Sequence, residues 1–272
     1  MVDALSEHLV PDALWELVEP LLPSSVPRRK GGGPAPVDQR AVFTAVVYVL
    51  TSGCAWRMLP PSFGVTAPTA HRRFTIWTGA GVRRRLYRAM LDEWGGHGLI
   101  DWSRAVIDAE SVWAKRGDMT APSPVDRAKS GSKIHVLSDR AGIPLSVGIS
   151  AANTNDAGAL RPLVRAVPAV RSRHGPRWRR PAKLHADKAY DITDLRRLVG
   201  DRGIKVRIAR KGIEFNDHLG RHRGSSNARS WLTGYHRLNI RYGRNASHFC
   251  AFLTLAATLT CYKKLAKAKS AT

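Results

Sequence analysis

The feature that most constrains this chain is a change of texture near Trp102. Before it, apolar residues recur at helical spacing, as in Leu14, Leu17, Val18, Leu21 and Leu22. Asp38 is a plausible N-cap for "QRAVFTAVVYVLTSG", with Gly53 as its stop. Pro68 opens a further helix, and another runs from about Val82 to Trp94. No strand signal occurs in these first hundred residues. After Trp102 the runs become short and β-like: "RAVIDAES", then "KIHVLSDRAGIPLSVGIS", whose two halves meet at Arg140-Ala-Gly.

Three antiparallel strands are therefore expected, followed by a helix at "NDAGALRPLVRAV" and a strand at "AKLHADKAYD". A helix from about Ile192 to Val199, the strand "KVRIAR" and helices over residues 226–235 and 247–265 complete the order. Such an order predicts an α/β chain compatible with the RNase H-like mixed sheet flanked by helices. Two domains are expected, a helical one over 1–98 and an α/β one over 99–272. Within the first, "HRRF" (His71, Arg72, Arg73 and Phe74) suits a helix-turn-helix-like reader of DNA, although an ordinary solvated basic face has the same composition.

Charge narrows the partners. Lys and Arg number 44 against 21 Asp and Glu, a formal net charge of +23, and an excess of that size points to a polyanion such as nucleic acid. Seven arginines and no acid lie between Arg161 and Arg180, including Arg177, Arg179 and Arg180. Seven more cations, Arg210 and Lys211 among them, lie between Arg196 and Lys211. Contacts from such runs to phosphates provide affinity without specifying sequence. Trp178, inside the first run, reads more readily as a loop pin than as a base-stacking platform.

Three cysteines without a C-x-x-C pair argue against a disulfide framework or a zinc site. Five acids in the first twenty residues are unlike a secretory or transit leader. The longest apolar run, from Phe249 to Tyr262, falls short of the roughly 20 residues a membrane span needs. The expectation is a cytoplasmic, bacterial protein associated with the nucleoid and not with a membrane.

Two carboxylates stand out. Asp108 follows Ala105-Val106-Ile107, and Asp187 follows Leu184-His185-Ala186. Taken singly, each reads at least as well as the cap of a turn. Together, at the ends of buried strands in a basic chain, they suit hard divalent cations, which favour oxygen ligands, and through them phosphodiester chemistry.

Several motifs in order resemble a family. "IDAESVWAKRGD", "APSPVDRAKSGSKIHVLSDRAGIPLSVGISAANTND", "LHADKAYD", "RIARKGIE" and "LGRHR" are similar to the insertion-sequence-five group of bacterial DDE transposases, as are "LWELVEPLLP" and "VLTSGCAWRMLPPSFG". The likeness spans essentially the whole chain. It implies an RNase H-like catalytic domain holding two Mg²⁺ ions, or Mn²⁺, that cuts and rejoins DNA by in-line attack without a covalent protein intermediate. Asp108 and Asp187 then correspond to the first two acids of the triad. Double-stranded DNA, as terminal inverted repeats and target, is the implied partner, with a homodimer or larger assembly acting on it. Arg221 and Arg223, like the basic positions named above, are expected to contact DNA.

One departure is specific. The third acid of the family is a Glu, and its place here is Asn227, in a stretch reading Gly224-Ser225-Ser226-Asn227. Asn offers a neutral carbonyl in place of a charge-neutralising carboxylate. Glu110 would share the face of Asp108 if its strand runs on, making it a candidate metal ligand, and Glu214 and Asp217 are further substitutes. Asp156 reads as a helix N-cap, and His185 as a face-mate of Asp187. Two functions therefore stand: a Mg²⁺-dependent transposase, or a relative that binds DNA without cutting it. An RNA-binding or ribonuclease protein would explain the charge and the fold but not the helical leader.

Overall fold

The computed structural model describes residues 2–23, 37–124, 126–212 and 231–270. Helices α1 (Val2–Leu9), α2 (Asp12–Val18), α3 (Gln39–Ser52), α4 (Ala67–Gly79) and α5 (Val82–Gly96) form the first part. The Asp38 side chain accepts from the Arg40 amide at 2.8 Å and so caps α3. Gly53 ends α3 at φ 73°, where an added Cβ would stand 2.8 Å from the His236 Cβ, so both backbone conformation and packing require glycine.

The sheet is built around β1 (Ala105–Ala114). On one side lie β2 (Ala121–Pro122), β3 (Ser130–Asp139) and β4 (Pro144–Ala151); on the other, β5 (Lys183–Ala186) and β6 (Lys205–Ile208). β7 (Ile240–Arg241) pairs with the far end of β1. The main strands run β4-β3-β1-β5-β6 in space, the first three antiparallel and the last two parallel to β1. That is the RNase H-like arrangement. α6 (Ala157–Ala166) joins β4 to β5, and α7 (Thr193–Asp201) joins β5 to β6.

Two expectations change here. Asp108 does not end its strand: β1 continues six residues beyond it to Ala114, so Glu110 does lie on the same face two residues on. A backbone paired with β3 along this length keeps its extended form regardless of the charges on its outer side. Of the helix expected over 226–235, residues 226–230 lie outside the described residues; beyond them a helical turn ends at Leu232, and α8 (His236–Asn239) follows.

The last helix, α9 (Ala246–Ser270), is longer than the apolar run within it. Contrary to expectation it is long and apolar enough to cross a membrane by length and composition, yet 72% of that stretch is buried inside the protein. It packs against α5 and β4, with the Trp94 indole donating to the Cys261 carbonyl at 3.0 Å. A helix that is apolar all round belongs in a core. The hydroxyls of Thr254, Thr258 and Thr260 are satisfied by carbonyls one turn earlier, which lets threonines occupy it. Leu50 from α3, Leu91 from α5, Leu137 and Leu145 from the sheet and Leu253 from α9 belong to one continuous buried cluster. Cys261 is buried and Cys54 and Cys250 half-buried, all three free.

Candidate active site

Strand register brings the two sequence-predicted aspartates together. β1 and β5 pair in parallel with Val106 beside His185. Two residues further along each chain stand Asp108 and Asp187, and Asp187 keeps extended backbone (φ −76°, ψ −178°) just past the end of β5. The step of two preserves the face, and neighbouring strands lie roughly 4.8 Å apart, so the carboxylates project side by side. One oxygen of each is held by the backbone: Asp108 accepts from the Ala109 amide at 2.9 Å, and Asp187 from the Ala189 amide at 2.8 Å. Asp187 thus caps a short 3-10 turn, Lys188–Tyr190, as well as facing Asp108.

Neither aspartate forms an ion pair among the described residues, although other acids do: Asp12 with Arg40, Asp92 with Arg177, Asp156 with Lys133 and Asp191 with Arg196. In a chain with 44 cationic side chains, adjacent carboxylates without a cationic partner are the unusual arrangement. Their negative field is felt by Tyr190, which the sequence did not single out. Its hydroxyl is buried without a hydrogen-bond partner, and burial, then the charges of Asp156, Asp187 and Asp108, push its ionisation well above the usual phenol range.

Asp156 therefore belongs to the neighbourhood, but not as the expected N-cap. Asn155 supplies the cap, accepting from the Ala157 amide at 3.0 Å, while the Asp156 carboxylate binds the Lys133 ammonium at 2.8 Å. A lysine within reach on β3 outcompetes a local backbone N–H for the charge. His185, paired with Arg207 across β5 and β6, shares the face of Asp187. No group of three or more His, Cys, Asp or Glu among the described residues is arranged to hold a metal ion. Asn227, Glu214, Asp217, Arg221 and Arg223 lie outside the described residues.

The arginine run gathers at the other end of β5. Arg165, Arg177, Arg179, Arg180 and Arg202 line a cavity of about 360 Å³ whose floor includes Leu137, Leu184 and Ile204. No acid lines it. Arg177 is already engaged, donating to both Asp92 oxygens at 2.7 and 2.9 Å. Trp178 pins the loop: its indole donates to the Arg180 carbonyl at 2.6 Å and the Arg180 guanidinium covers its ring at 5.3 Å. Arg165 belongs to the same run and comes from α6, and Arg202, from the turn after α7, joins the group through the fold. Arg210 and Lys211 are exposed beyond β6, with the Lys211 amide donating to Asp191.

On α4, Arg72 is exposed and Arg73 half-buried, whereas Phe74 is core. His71 packs its ring against Trp56 at 5.3 Å and His248 at 5.6 Å, so it faces α9 as well as solvent.

Comparison with known proteins fits this geometry. Residues 10–87 match a family model described as "Putative transposase of IS4/5 family", and residues 96–266 match the transposase DDE domain. A curated protein of Burkholderia cepacia, "Putative transposase for insertion sequence element IS402", is 38% identical over 171 residues, covering 62% of this chain and 80% of that one. A 16.2 kDa protein of the same element is 40% identical over 112 residues, covering 40% of this chain and 76% of that one. Solved structures overlap loosely. A piggyBac transposase synaptic complex with hairpin DNA is 12% identical with a TM-score of 0.35, over 78% of this chain and 51% of that chain. The Mos1 mariner catalytic domain is 9% identical with a TM-score of 0.28, over 67% of this chain and 91% of that one. Residues 96–266, which carry both aspartates and the whole sheet, decide the matter: the chain belongs to the DDE transposases of insertion sequences, of the IS4/5 type.

Proposed function

We propose that this transposase binds the ends of its insertion sequence and, with divalent metal, cuts them and joins them to target DNA. The observation that carries the reading is the pair Asp108 and Asp187, adjacent on parallel strands and without a cationic partner among the described residues, in a chain of net charge +23. The donor set fits Mg²⁺ or Mn²⁺: two hard carboxylates, each with one oxygen fixed by a backbone amide. Metal bound there would activate the attacking oxygen and stabilise the leaving one. Asp108 and Asp187 would hold and orient those ions. The amides of Ala109 and Ala189 keep the carboxylates from rotating away.

In the first reaction water attacks a phosphodiester in line and releases a 3′-hydroxyl. In the second that hydroxyl attacks target DNA, displacing another 3′-oxygen. The basic surfaces bind phosphates on either side of the reacting one: Arg179, Arg180, Arg210 and Lys211 on the α/β part, Arg72 and Arg73 on α4, and Arg221 and Arg223 from their sequence position. Two ends must meet for transposition, which favours a homodimer or larger assembly on DNA. The nucleoid is the compartment where such a protein would work.

The test is a cleavage assay on labelled end DNA with Mg²⁺ or Mn²⁺, run on the parent, Asp187→Ala and Asn227→Glu. Cleavage by the parent and not by Asp187→Ala is the expected result. Cleavage by Asn227→Glu alone would mean a copy that binds and no longer cuts, and equal cleavage by Asp187→Ala would remove the aspartate pair from the reaction.

A further inference from the structure

A second cavity, of about 300 Å³, lies between the helical leader and α9, away from both aspartates. Rings dominate its wall: Trp56, His71, Tyr242, His248, Phe249 and Phe252. Arg237 and Arg244 complete the charged part of the lining, and no acid is present. The rings hold one another in place. Phe74 stacks on Phe252 at 4.5 Å, Trp56 meets Phe252 at 6.0 Å, and His71 meets His248 edge-on at 5.6 Å. Arg237 is anchored by the Cys54 carbonyl at 2.9 Å, whereas the Arg244 guanidinium has no partner among the described residues. Tyr242 is 49% exposed, with the Lys115 ammonium 5.5 Å from its ring centroid.

The lining selects a ligand by elimination. A ring-walled cage for a cation would need acids or neutral groups, but here two arginines repel one. Burial first, then His71 and Arg83, hold the His248 imidazole below its usual ionisation. An aliphatic ligand would leave those cations unpaired. What fits is a flat aromatic body carrying negative charge. The volume sits at the low end of small-ligand sites, about 300 to 1,000 Å³, and is too small for a duplex whose major groove alone is about 12 Å wide.

We propose that this cavity receives one unstacked nucleotide of bound DNA, its base against the Tyr242 and Trp56 rings and its phosphate on Arg244 and Arg237. The proposal rests on the DNA-binding reading above. Base stacking on aromatic side chains is tolerant of sequence, so the pocket would recognise an unpaired position and not a particular base.

Two fluorescent duplexes of the same sequence, one fully paired and one with a single unpaired adenine, test it by anisotropy. The parent should bind the second about 10-fold more tightly. Tyr242→Ala should abolish that preference while leaving affinity for the paired duplex unchanged, and Tyr242→Phe should retain it. Equal affinity of the parent for the two probes, or a preference that survives Tyr242→Ala, would overturn the proposal. Saturable binding of adenosine monophosphate that DNA does not displace would overturn it in favour of a free nucleotide. Binding of neither duplex would remove the DNA-binding reading, and this pocket with it.

Discussion

The two ends of β5 carry opposite charge arrangements. At its C-terminal end stand Asp187 and, on the neighbouring strand, Asp108, without ion-pair partners among the described residues. At its N-terminal end five arginines line a cavity that contains no acid. An extended strand rises about 3.3 Å per residue, so Asp187 stands roughly 10 Å along the chain from Leu184 on the cavity floor. Cations from the second end could have neutralised the first had the chain folded to pair them. They are kept apart, and on the function proposed above each end takes a charge from outside: metal at one, phosphate at the other. A buried acid at the base of the sheet shows what a carboxylate without a cation costs. Asp139, paired with Ala105 at the base of the sheet, is fully buried and accepts from the Ile143 and Asp101 amides at 2.7 and 2.9 Å. Burial, outweighing those bonds, pushes its carboxyl up to about 6.

The largest effect should come from the acidic end. Asp108→Ala or Asp187→Ala is expected to lower DNA cleavage by about 10³-fold or more, with the thermal midpoint moving no more than about 2 °C. A large loss of stability instead would make the pair a structural element and collapse the contrast.

Both ends depend on one core. Leu253→Ala in α9, at a fully buried position, should cost about 2 to 5 kcal/mol in denaturant unfolding and weaken cleavage and DNA binding together. If one activity survived at the unfolding midpoint, the ends would not share a cooperative unit.

Asp139 sharpens the contrast through pH. Its folded-state ionisation lies near 6 against an ordinary 3.8, so the folded chain holds the proton more tightly than the unfolded one. That stabilisation is complete below about pH 3.8 and is lost as pH rises through 6, a fall on the order of 3 kcal/mol. Denaturant unfolding measured between pH 4 and 7 should show the fall in the parent and not in Asp139→Ala. An identical profile in the variant would assign the pH dependence elsewhere.

The smallest effect is expected at the basic end. Arg179→Ala and Arg180→Ala should each weaken DNA binding several-fold and reduce the slope of log affinity against log salt by about 0.9. Arg177→Ala should act differently, because that guanidinium holds Asp92: its loss should lower stability more than it lowers the salt slope. Unchanged salt slopes for Arg179 and Arg180 would leave the cavity without a phosphate.

Much of this was legible in the residues. The periodicity switch near Trp102 located the helical part and the sheet, and the hairpin at Arg140 fell where its turn residues lie. The order of strands and helices along the chain followed from periodicity, and both aspartates were visible because a charge after an apolar run is conspicuous. Asp156 was misread because a helix start preceded by Asp normally means a cap; Lys133, on a strand paired with β1, lies outside any local pattern. Tyr190 carried no signal, since an apolar ring three residues after Asp187 looks like ordinary core. The ring-walled cavity was invisible for the same reason: its parts come from the turn after α3, from α4, from the segment around β7 and from α9.

Sequence by itself therefore determined the net charge, the element types, the family likeness and the two acids, all of which are local or compositional properties. Tertiary structure alone decided that those acids stand side by side, that the arginines gather at the opposite end of the same strand, and that α9 is a core helix. The reason is physical. Which side chains meet across a sheet is set by strand order and register, and these are fixed by packing between residues far apart in the chain, such as Val106 against His185 and Ile107 against Leu137.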